Sequence, residues 1–361
     1  MIRDEAAVID TPAVLIDLGS VEHNLEEMAS LATARGVALR PHIKTHKLPQ
    51  LAQRQLDLGA VGLTCATLSE AEVMAEHTSV RDITIAFPIL GEAKLRRLAA
   101  LRERVTVRVV IDSVEAAEAL SLVGTKNPVA ALLEVDTGLH RMGTPPGLAT
   151  AQLAERISRV PGVDLIGLSS HAGHAYRART PEELMEYAVA EANDLAATLE
   201  ACKHLPLREV SVGSTPTARA SAGLPGITEI RPGTYVFNDV NQLRVGVATH
   251  ETCALTVATT VIARPAPDRV VVDAGAKVLA LDGMGTPDWI NVVGRPDMHP
   301  QFLSEEHGVF TLEPGGPSPE IGEQLRLIPC HCCTVINLAE TVIVTAAGEV
   351  IDEWQVMART R

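Results

Sequence analysis

The 361-residue sequence predicts an α/β protein: a (β/α)8 TIM barrel over residues 11–240, followed by an all-β domain over residues 241–361. Strand-like apolar runs alternate with amphipathic helical segments in the first part, a pattern typical of parallel sheets. The runs number eight, which is the count that closes a barrel. After about residue 240, short β-branched runs are separated by Gly, Pro and Asp, which indicates a separate β domain that also includes residues 1–10 as an optional segment.

The elements follow in chain order. After a run at Ala13–Leu18 and a helix over Val21–Arg35, the predicted barrel strands are Ala38–Ile43, Val61–Cys65, Ile83–Phe87, Thr106–Ile111, Ala130–Val135, Leu165–Ser169, Glu209–Val212 and Thr228–Arg231. Helices are predicted at Leu68–Glu76, Glu92–Leu101, Val114–Leu120, Ala149–Arg159 and Pro181–Cys202. Strands of the second domain are predicted at Thr252–Ala263, Arg269–Asp273, Val309–Leu312, Gln324–Ile328, Thr341–Thr345 and Val350–Val356. An open doubly wound sheet fits the same alternation, but the count of strands favours the barrel.

The composition argues against several classes of function. Acidic residues outnumber basic ones, 45 to 31, and the net charge of −14 disfavours a nucleic-acid or anionic-membrane partner. Aromatic residues are only 2%, too few for a platform that stacks single-stranded bases. The first ten residues lack the apolar core of a signal peptide, and no apolar stretch reaches the length of a membrane span. Six cysteines do not form a disulfide scaffold at this length, so we expect a cytoplasmic protein.

The octapeptide Arg40–Lys47 (RPHIKTHK) is the sharpest chemical signal. A strand over Ala38–Ile43 would place Lys44 at the C-terminal mouth of the barrel, where active sites of this fold lie. A lysine amine in a partly dry mouth near other cations loses basicity and becomes a nucleophile for Schiff-base chemistry. The alternative is a basic surface loop, and this is the interpretation given to Lys47.

Other unusual residues follow the later strands at matching positions. These segments are Glu134–Gly143 (EVDTGLHRMG), Ser169–Tyr176 (SSHAGHAY), Val212–Thr217 (VGSTPT) and Arg231–Tyr235 (RPGTY). Each segment alone fits an ordinary turn, but together they place Lys, Arg, His and hydroxyl groups at one rim. Gly213, Ser214 and Thr215 precede a helix-forming stretch and would direct backbone N–H groups at an anion. Barrels frequently build a phosphate site at this place.

The segment Cys330–Cys333 (CHCC) is the second chemical signal. On a strand, residues two apart share a face, so His331 and Cys333 would point together. An imidazole nitrogen and a thiolate suit Zn²⁺, and two protein ligands leave positions open for water or substrate. Taken alone, the spacing favours a core strand that uses cysteine as a small apolar residue.

These motifs resemble the D-threonine aldolase / D-serine dehydratase family of fold-type III, alanine-racemase-like enzymes, which use pyridoxal 5′-phosphate (PLP). The resemblance runs from Thr11 to the C-terminal domain and rests on RPHIKTHK, EVDTGLHRMG, HAGHAY, VGSTPT, EIRPGTYVF, SEEHG and PCHCCTVINL. It implies that Lys44 is the Schiff-base lysine, that Arg141 faces the pyridine nitrogen, and that His331 and Cys333 bind the metal. The remaining cofactor-binding residues that it implies are His42, His171, Tyr176, Gly213, Ser214, Thr215, Gly233 and Tyr235.

The resemblance also implies the class of reaction. The His-x-Cys pair resembles that of D-serine dehydratases, with zinc as the expected metal and Mn or Mg as alternatives, whereas aldolases resemble His-x-Asp. We therefore expect a lyase that eliminates water from a β-hydroxy-D-amino acid, with retro-aldol cleavage second and His174 as a candidate base for that cleavage. A racemase, a non-catalytic PLP-binding protein and a structural zinc protein are more distant alternatives. Relatives are commonly homodimers, so a homodimer is expected.

Overall fold

The computed structural model describes residues 9–359 and contains two sheets joined by helices. The elements of the first part are β1 (Ala13–Asp17), α1 (Leu18–Arg35), β2 (Ala38–Leu39), α2 (Pro49–Asp57), β3 (Leu63–Cys65), α3 (Leu68–His77), β4 (Asp82–Ile85), α4 (Glu92–Arg102), β5 (Thr106–Ile111), α5 (Val114–Ser121), β6 (Val129–Glu134), α6 (Leu148–Ile157), β7 (Val163–His171), α7 (Pro181–Ala201), β8 (Glu209–Gly213), α8 (Thr215–Ser221) and β9 (Glu229–Arg231). The second part contains α9 (Val240–Arg244), β10 (Leu255–Ala266), β11 (Arg269–Val272), α10 (Ala276–Leu279), β12 (Asn291–Val292), β13 (Met298–Leu303), β14 (Gly308–Leu312), β15 (Gln324–Ile328), α11 (Cys332–Leu338), β16 (Thr341–Ala346) and β17 (Glu349–Gln355). Within residues 9–359, no helix has the length and apolar character needed to cross a bilayer.

Short polar side chains start several of the barrel helices. Asp17 accepts a hydrogen bond from Ser20 N at 2.8 Å at the start of α1, and Thr67 accepts one from Glu70 N at 3.1 Å at the start of α3. Such caps satisfy backbone donors that a helix leaves unpaired. Gly36 ends α1 with φ +66°, a left-handed conformation that glycine adopts without steric cost.

The first sheet is a parallel barrel of eight strands in the order β2-β9-β8-β7-β6-β5-β4-β3. Strands β2 and β3 approach each other at the two ends of this order: Val61 N donates to Leu39 O at 3.0 Å and Thr64 N donates to Pro41 O at 2.8 Å. The sheet therefore closes on itself, and the prediction of a barrel is confirmed. Each predicted barrel strand overlaps an observed strand.

The first barrel strand is shorter than predicted. β2 ends at Leu39, and Lys44 lies in a 3₁₀ turn over Ile43–Thr45 that His42 precedes. Pro41 has no N–H to donate to a ladder, which limits the strand at this point. Lys44 is still carried beyond the C-terminal end of β2, where the argument from sequence had placed it.

The second sheet is mostly antiparallel and includes a strand from the N-terminal part of the chain. Its order is β13-β14-β11-β10-β1-β16-β17, with β15 against β10 and β12 against β15. β1 pairs antiparallel with β10 and parallel with β16, so Ala13–Asp17 lies in this sheet although the predicted boundary assigned it to the barrel. The boundary at residue 240 stays a prediction, and of the optional segment 1–10 residues 1–8 lie outside the described residues.

Candidate active site

Lys44 lies in a cavity of about 430 Å³ where the C-terminal ends of the barrel strands face the second sheet. Most residues predicted for the site line this cavity or the one that adjoins it. Those on the first cavity are His42, Lys44, Arg141, His171, Tyr176, Ser214, Gly233, His331 and Cys333, and Gly213 lines the adjoining cavity of about 300 Å³. The fold therefore brings together residues that are up to 291 positions apart, from His42 to Cys333.

The barrel end of the cavity lowers the basicity of its nitrogen groups. Burial lowers the pKa of Lys44, and the charges of Arg141 and Arg231 lower it further, while the Cys333 thiolate acts in the opposite direction. Burial and the charge of Lys44 hold the pKa of both His42 and His171 well below the usual value. A lysine with a reduced pKa carries more neutral amine near pH 7, which is the form that attacks a carbonyl carbon.

One side of the cavity is suited to an anionic group. Ser214 Oγ is buried and has no hydrogen-bond partner among the described residues, and its backbone has φ 104°. A Cβ added at Gly213 would lie 2.7 Å from His171 Nδ1, and one at Gly233 would lie 2.8 Å from Thr45 Oγ1. Both positions therefore require glycine, because any side chain there would overlap His171 or Thr45.

Tyr176 stands beside this anionic site. Its hydroxyl lies 3.3 Å from Thr234 Oγ1 and accepts a hydrogen bond from Gln242 Nε2 at 3.0 Å. Burial raises the pKa of the phenol, so the hydroxyl stays protonated and can donate.

The proposed metal pair comes from a helix start rather than from a strand. His331 precedes α11 and Cys333 lies in its first turn, so the assumption that CHCC forms a strand is wrong. His331 and Cys333 nevertheless line the same cavity because the cap residue and the first turn face the barrel mouth. Cys330 also lines the cavity, whereas Cys332 is fully buried.

Asp239 holds the segment Cys330–Cys333, called the strap from here on, in place. Its Oδ2 lies 3.1 Å from His331 Nδ1 and accepts a hydrogen bond from Cys332 N at 3.1 Å. A carboxylate on Nδ1 leaves Nε2 as the nitrogen available for a metal, as in many carboxylate–histidine–metal sites. Sequence reasoning missed Asp239 because an aspartate before a short helix is an ordinary helix cap. Asp239 is such a cap as well, since its Oδ1 accepts a hydrogen bond from Gln242 N.

The electrostatics of the pair favour a thiolate. A hydrogen bond from Cys332 and the neighbouring His331 hold the pKa of Cys333 well below the usual value. The charge of Cys333 in turn raises the pKa of His331 well above its usual value. The thiolate is the form of cysteine that binds metals. Within residues 9–359, no group of three or more His, Cys, Asp or Glu side chains is placed to hold a metal ion.

Three predicted residues lie off the cavity lining. Thr215 Oγ1 accepts hydrogen bonds from Gly233 N and Tyr235 N, and Tyr235 OH accepts one from Gln55 Nε2 at 2.9 Å. Thr215 and Tyr235 therefore brace the loops behind the anionic site. His174 packs edge-on against Tyr187, with 5.0 Å between the ring centroids, and is not brought to the cavity.

Sequence reasoning missed several residues that line the cavity. Arg231 is 6% exposed and donates to Ser169 Oγ and Ser170 O at 3.0 Å, as well as to Ser211. It is much more firmly fixed than Arg141, which is exposed. The others are Leu139, Gly173, Thr234, Asn241, Asp282, Gly283 and Cys330. Arg231 lies in the motif EIRPGTYVF and could have been found there, whereas Asn241 and Asp282 carry no signal in the sequence.

Comparisons with known proteins agree with this geometry. Residues 16–240 match the family model for the alanine racemase N-terminal domain, and residues 254–345 match a putative serine dehydratase domain. D-threonine aldolase from Arthrobacter sp is 34% identical over 99% of this chain and 94% of its own length. D-threo-3-hydroxyaspartate dehydratase from Delftia sp. (strain HT23) is 33% identical over 98% of each chain.

Solved structures give the same result. The crystal structure of D-threonine aldolase from Filomicrobium marinum superposes with a TM-score of 0.90 and 32% identity, and the match covers 97% of this chain and 95% of that one. A cysteine-to-alanine variant of D-threo-3-hydroxyaspartate dehydratase in its metal-free form superposes with a TM-score of 0.88 and 32% identity, over 99% of this chain and 100% of that one. The chain therefore belongs to the D-threonine aldolase / D-serine dehydratase family of fold-type III, alanine-racemase-like enzymes, and is a PLP-dependent lyase.

Proposed function

We propose that this lyase uses PLP and zinc to eliminate water from a small β-hydroxy-D-amino acid, releasing a 2-oxo acid and ammonia. The observation that carries the proposal is that Lys44, His331 and Cys333 line one cavity. The names of two relatives support the substrate class, since D-threonine aldolase and D-threo-3-hydroxyaspartate dehydratase are both named for D-amino acids with a hydroxyl on Cβ.

The barrel end of the cavity fits PLP. The unpartnered hydroxyl of Ser214 and the glycines at positions 213 and 233 provide a place for its phosphate. Lys44 Nζ would hold the cofactor covalently, and Arg231 at the cavity floor is better fixed than Arg141 to face its ring. PLP, when bound, withdraws electron density from Cα of the substrate.

The strap end fits zinc. The available donors are His331 Nε2 and the Cys333 sulfur, and nitrogen with thiolate is a donor set that zinc prefers. Mn and Mg prefer oxygen ligands and are less suited to this pair. Zinc, when bound, acts as a Lewis acid toward the β-hydroxyl of the substrate.

Lys44 and the strap are linked closely enough to act on neighbouring atoms of one substrate. Cys333 Sγ lies 3.2 Å from the hydroxyl of Thr45, the residue that follows Lys44. Lys44 Nζ, with its reduced pKa, would accept the proton from Cα, while the strap holds the hydroxyl on Cβ. Removal of an α-proton and of a β-hydroxyl is the elimination of water.

Retro-aldol cleavage is the second candidate, because two of the similar proteins are D-threonine aldolases. Two observations favour elimination. A thiolate ligand reduces the charge of the metal and so its ability to stabilise an alkoxide. The histidine considered as base for the cleavage, His174, lies off the cavity lining.

Product analysis distinguishes the two reactions. The PLP- and zinc-loaded enzyme is incubated with D-serine and D-threonine. Pyruvate or 2-oxobutanoate with ammonia is expected, and glycine with an aldehyde would show the retro-aldol reaction instead. Cys333→Ala should lose at least about a thousandfold in activity while it keeps the absorption band of bound PLP, because only the metal site is altered. Lys44→Ala should lose the band itself; a band that survives this substitution would contradict the role of Lys44.

A further inference from the structure

The two ends of the cavity differ in charge. Its barrel end is lined by cations, namely Lys44, Arg141 and Arg231. Its opposite end is lined by Asn241, Asp282 and the metal strap. The cations suit the phosphate and α-carboxylate groups that the cofactor and the substrate both carry, so the strap end is left for the substituents on Cβ.

Asp282 is the residue at this end of the cavity whose side chain has no polar partner among the described residues. It lies in the loop between α10 and β12, and among the described residues it makes no hydrogen bond or ion pair. The loop packs directly on the strap: a Cβ added at Gly283, which has φ +72°, would overlap Cys330 Sγ. Asp282 therefore lines the cavity close to Cys330, the residue that precedes the proposed metal pair.

Asp282 adds a negative charge to this end of the cavity, where the Cβ substituent would lie, because its side chain makes no ion pair with a described residue. A second carboxylate there is repelled, since like charges a few ångströms apart in a partly dry site interact strongly.

We infer that Asp282 determines specificity by admitting neutral Cβ substituents, as in D-serine and D-threonine, and by rejecting a carboxylate, as in 3-hydroxy-D-aspartate. This inference rests on the proposed function for the position of Cβ. Such a preference would distinguish this chain from the similar D-threo-3-hydroxyaspartate dehydratase.

The test uses two ligands of nearly equal shape that differ in charge. D-asparagine and D-aspartate lack the β-hydroxyl, and each is titrated into the PLP- and zinc-loaded enzyme while the absorption of the cofactor is followed. The wild type should bind D-asparagine about tenfold more tightly, or better, which corresponds to about 1.4 kcal/mol. Asp282→Asn should reduce that preference to less than about threefold.

Asp288→Asn is the matched control. Asp288 lies in the same loop but contacts His299 at 2.8 Å on the far side from the cavity, so its removal should leave the preference unchanged. If Asp282→Asn fails to retain PLP, Asp282→Ser replaces it. Equal or tighter binding of D-aspartate by the wild type, or an unchanged preference in both Asp282 variants, would overturn the inference. Because binding is measured without turnover, failure of the proposed reaction is recognised separately, by the absence of products from D-serine and D-threonine.

Discussion

Asp239 connects three groups through one side chain. Its Oδ2 accepts from Cys332 N and lies against His331 Nδ1, while Oδ1 accepts from Gln242 N at 3.1 Å. An amide in its place can keep the cap of α9 through its oxygen but presents an NH₂ group to the imidazole N–H. Second contacts of this kind fix the orientation of a metal-binding histidine.

We therefore expect Asp239→Asn to weaken zinc binding by about 10- to 100-fold. The measurement is a competition titration with a chelator of known affinity. Bound PLP should change little, whereas the free energy of unfolding should fall by about 1–3 kcal/mol, because the amide leaves the buried N–H of Cys332 without an acceptor. Zinc affinity equal to that of the wild type would show that Asp239 has no role in the site.

The buried carboxyl of Glu191 should make the stability of the folded protein depend on pH. It accepts a hydrogen bond from Ser170 Oγ at 2.5 Å, its second oxygen is unpartnered within the described residues, and burial raises the pKa to about 7. A carboxyl whose pKa is higher in the folded state than in the unfolded state binds more protons when folded. Stability is therefore greatest below the unfolded pKa and declines as pH rises from about 4.5 to about 7.

Glu191→Gln removes this titration. Across the same pH range the wild type should lose up to about 3 kcal/mol of unfolding free energy relative to the variant. Urea unfolding at pH 5, 6, 7 and 8 measures the difference. Parallel pH profiles for the two proteins would assign the decline to other groups.

At the scale of elements, the barrel is closed by buried ion pairs at the end opposite the site. Arg40, at the end of β2, donates to Glu229 of β9 at 2.8 Å and to Asp82 of β4 at 2.9 Å. Arg108 of β5 also pairs with Asp82, at 2.7 Å. These ion pairs help to hold β2 against its neighbours, because a strand of only two residues forms few backbone hydrogen bonds.

Arg40→Met should cost about 3–5 kcal/mol of unfolding free energy, because it removes the cation that pairs with the buried Glu229 carboxylate. The matched control is Arg54→Met: Arg54 is 37% exposed and pairs with Glu22, so its loss should cost at most about 1 kcal/mol. Denaturant unfolding of the two variants measures both costs, and equal effects would contradict the role given to Arg40.

At the scale of the whole molecule, the chain crosses between its two parts more than once. β1 lies between β10 and β16 in the second sheet and leads directly into α1 of the barrel. The strap that carries His331 and Cys333 returns from the second part to the barrel mouth. The site is therefore assembled from both parts.

A fragment of residues 1–240 should consequently fail to fold cooperatively, because both neighbours of β1 lie beyond its end. Circular dichroism during heating, compared with the full chain, measures this. A fragment with a sharp unfolding transition and bound PLP would contradict the prediction.

We also expect the intact protein to be a homodimer in the cytoplasm, with sedimentation giving twice the mass of 38.4 kDa.

The eight barrel strands and the β-rich second part could be predicted from local patterns, because apolar periodicity sets the elements. Lys44 stands out through the motif that carries it, whereas the roles of His331 and Cys333 as a metal pair rest on the family resemblance and stay a prediction. The interpretation of Lys47 as a surface residue is wrong. In the structure Lys47 is buried and pairs with Glu70 at 2.6 Å.

Which side chains share a cavity depends on the tertiary structure. Asn241 and Asp282 are ordinary polar residues in the sequence but line the cavity, whereas His174 lies within a motif but off it. The strap begins a helix, and its Cys332 N–H donates to Asp239, which lies 93 residues earlier in the chain. Contacts at such separation depend on how the two sheets pack, and packing is a property of the whole fold rather than of any segment.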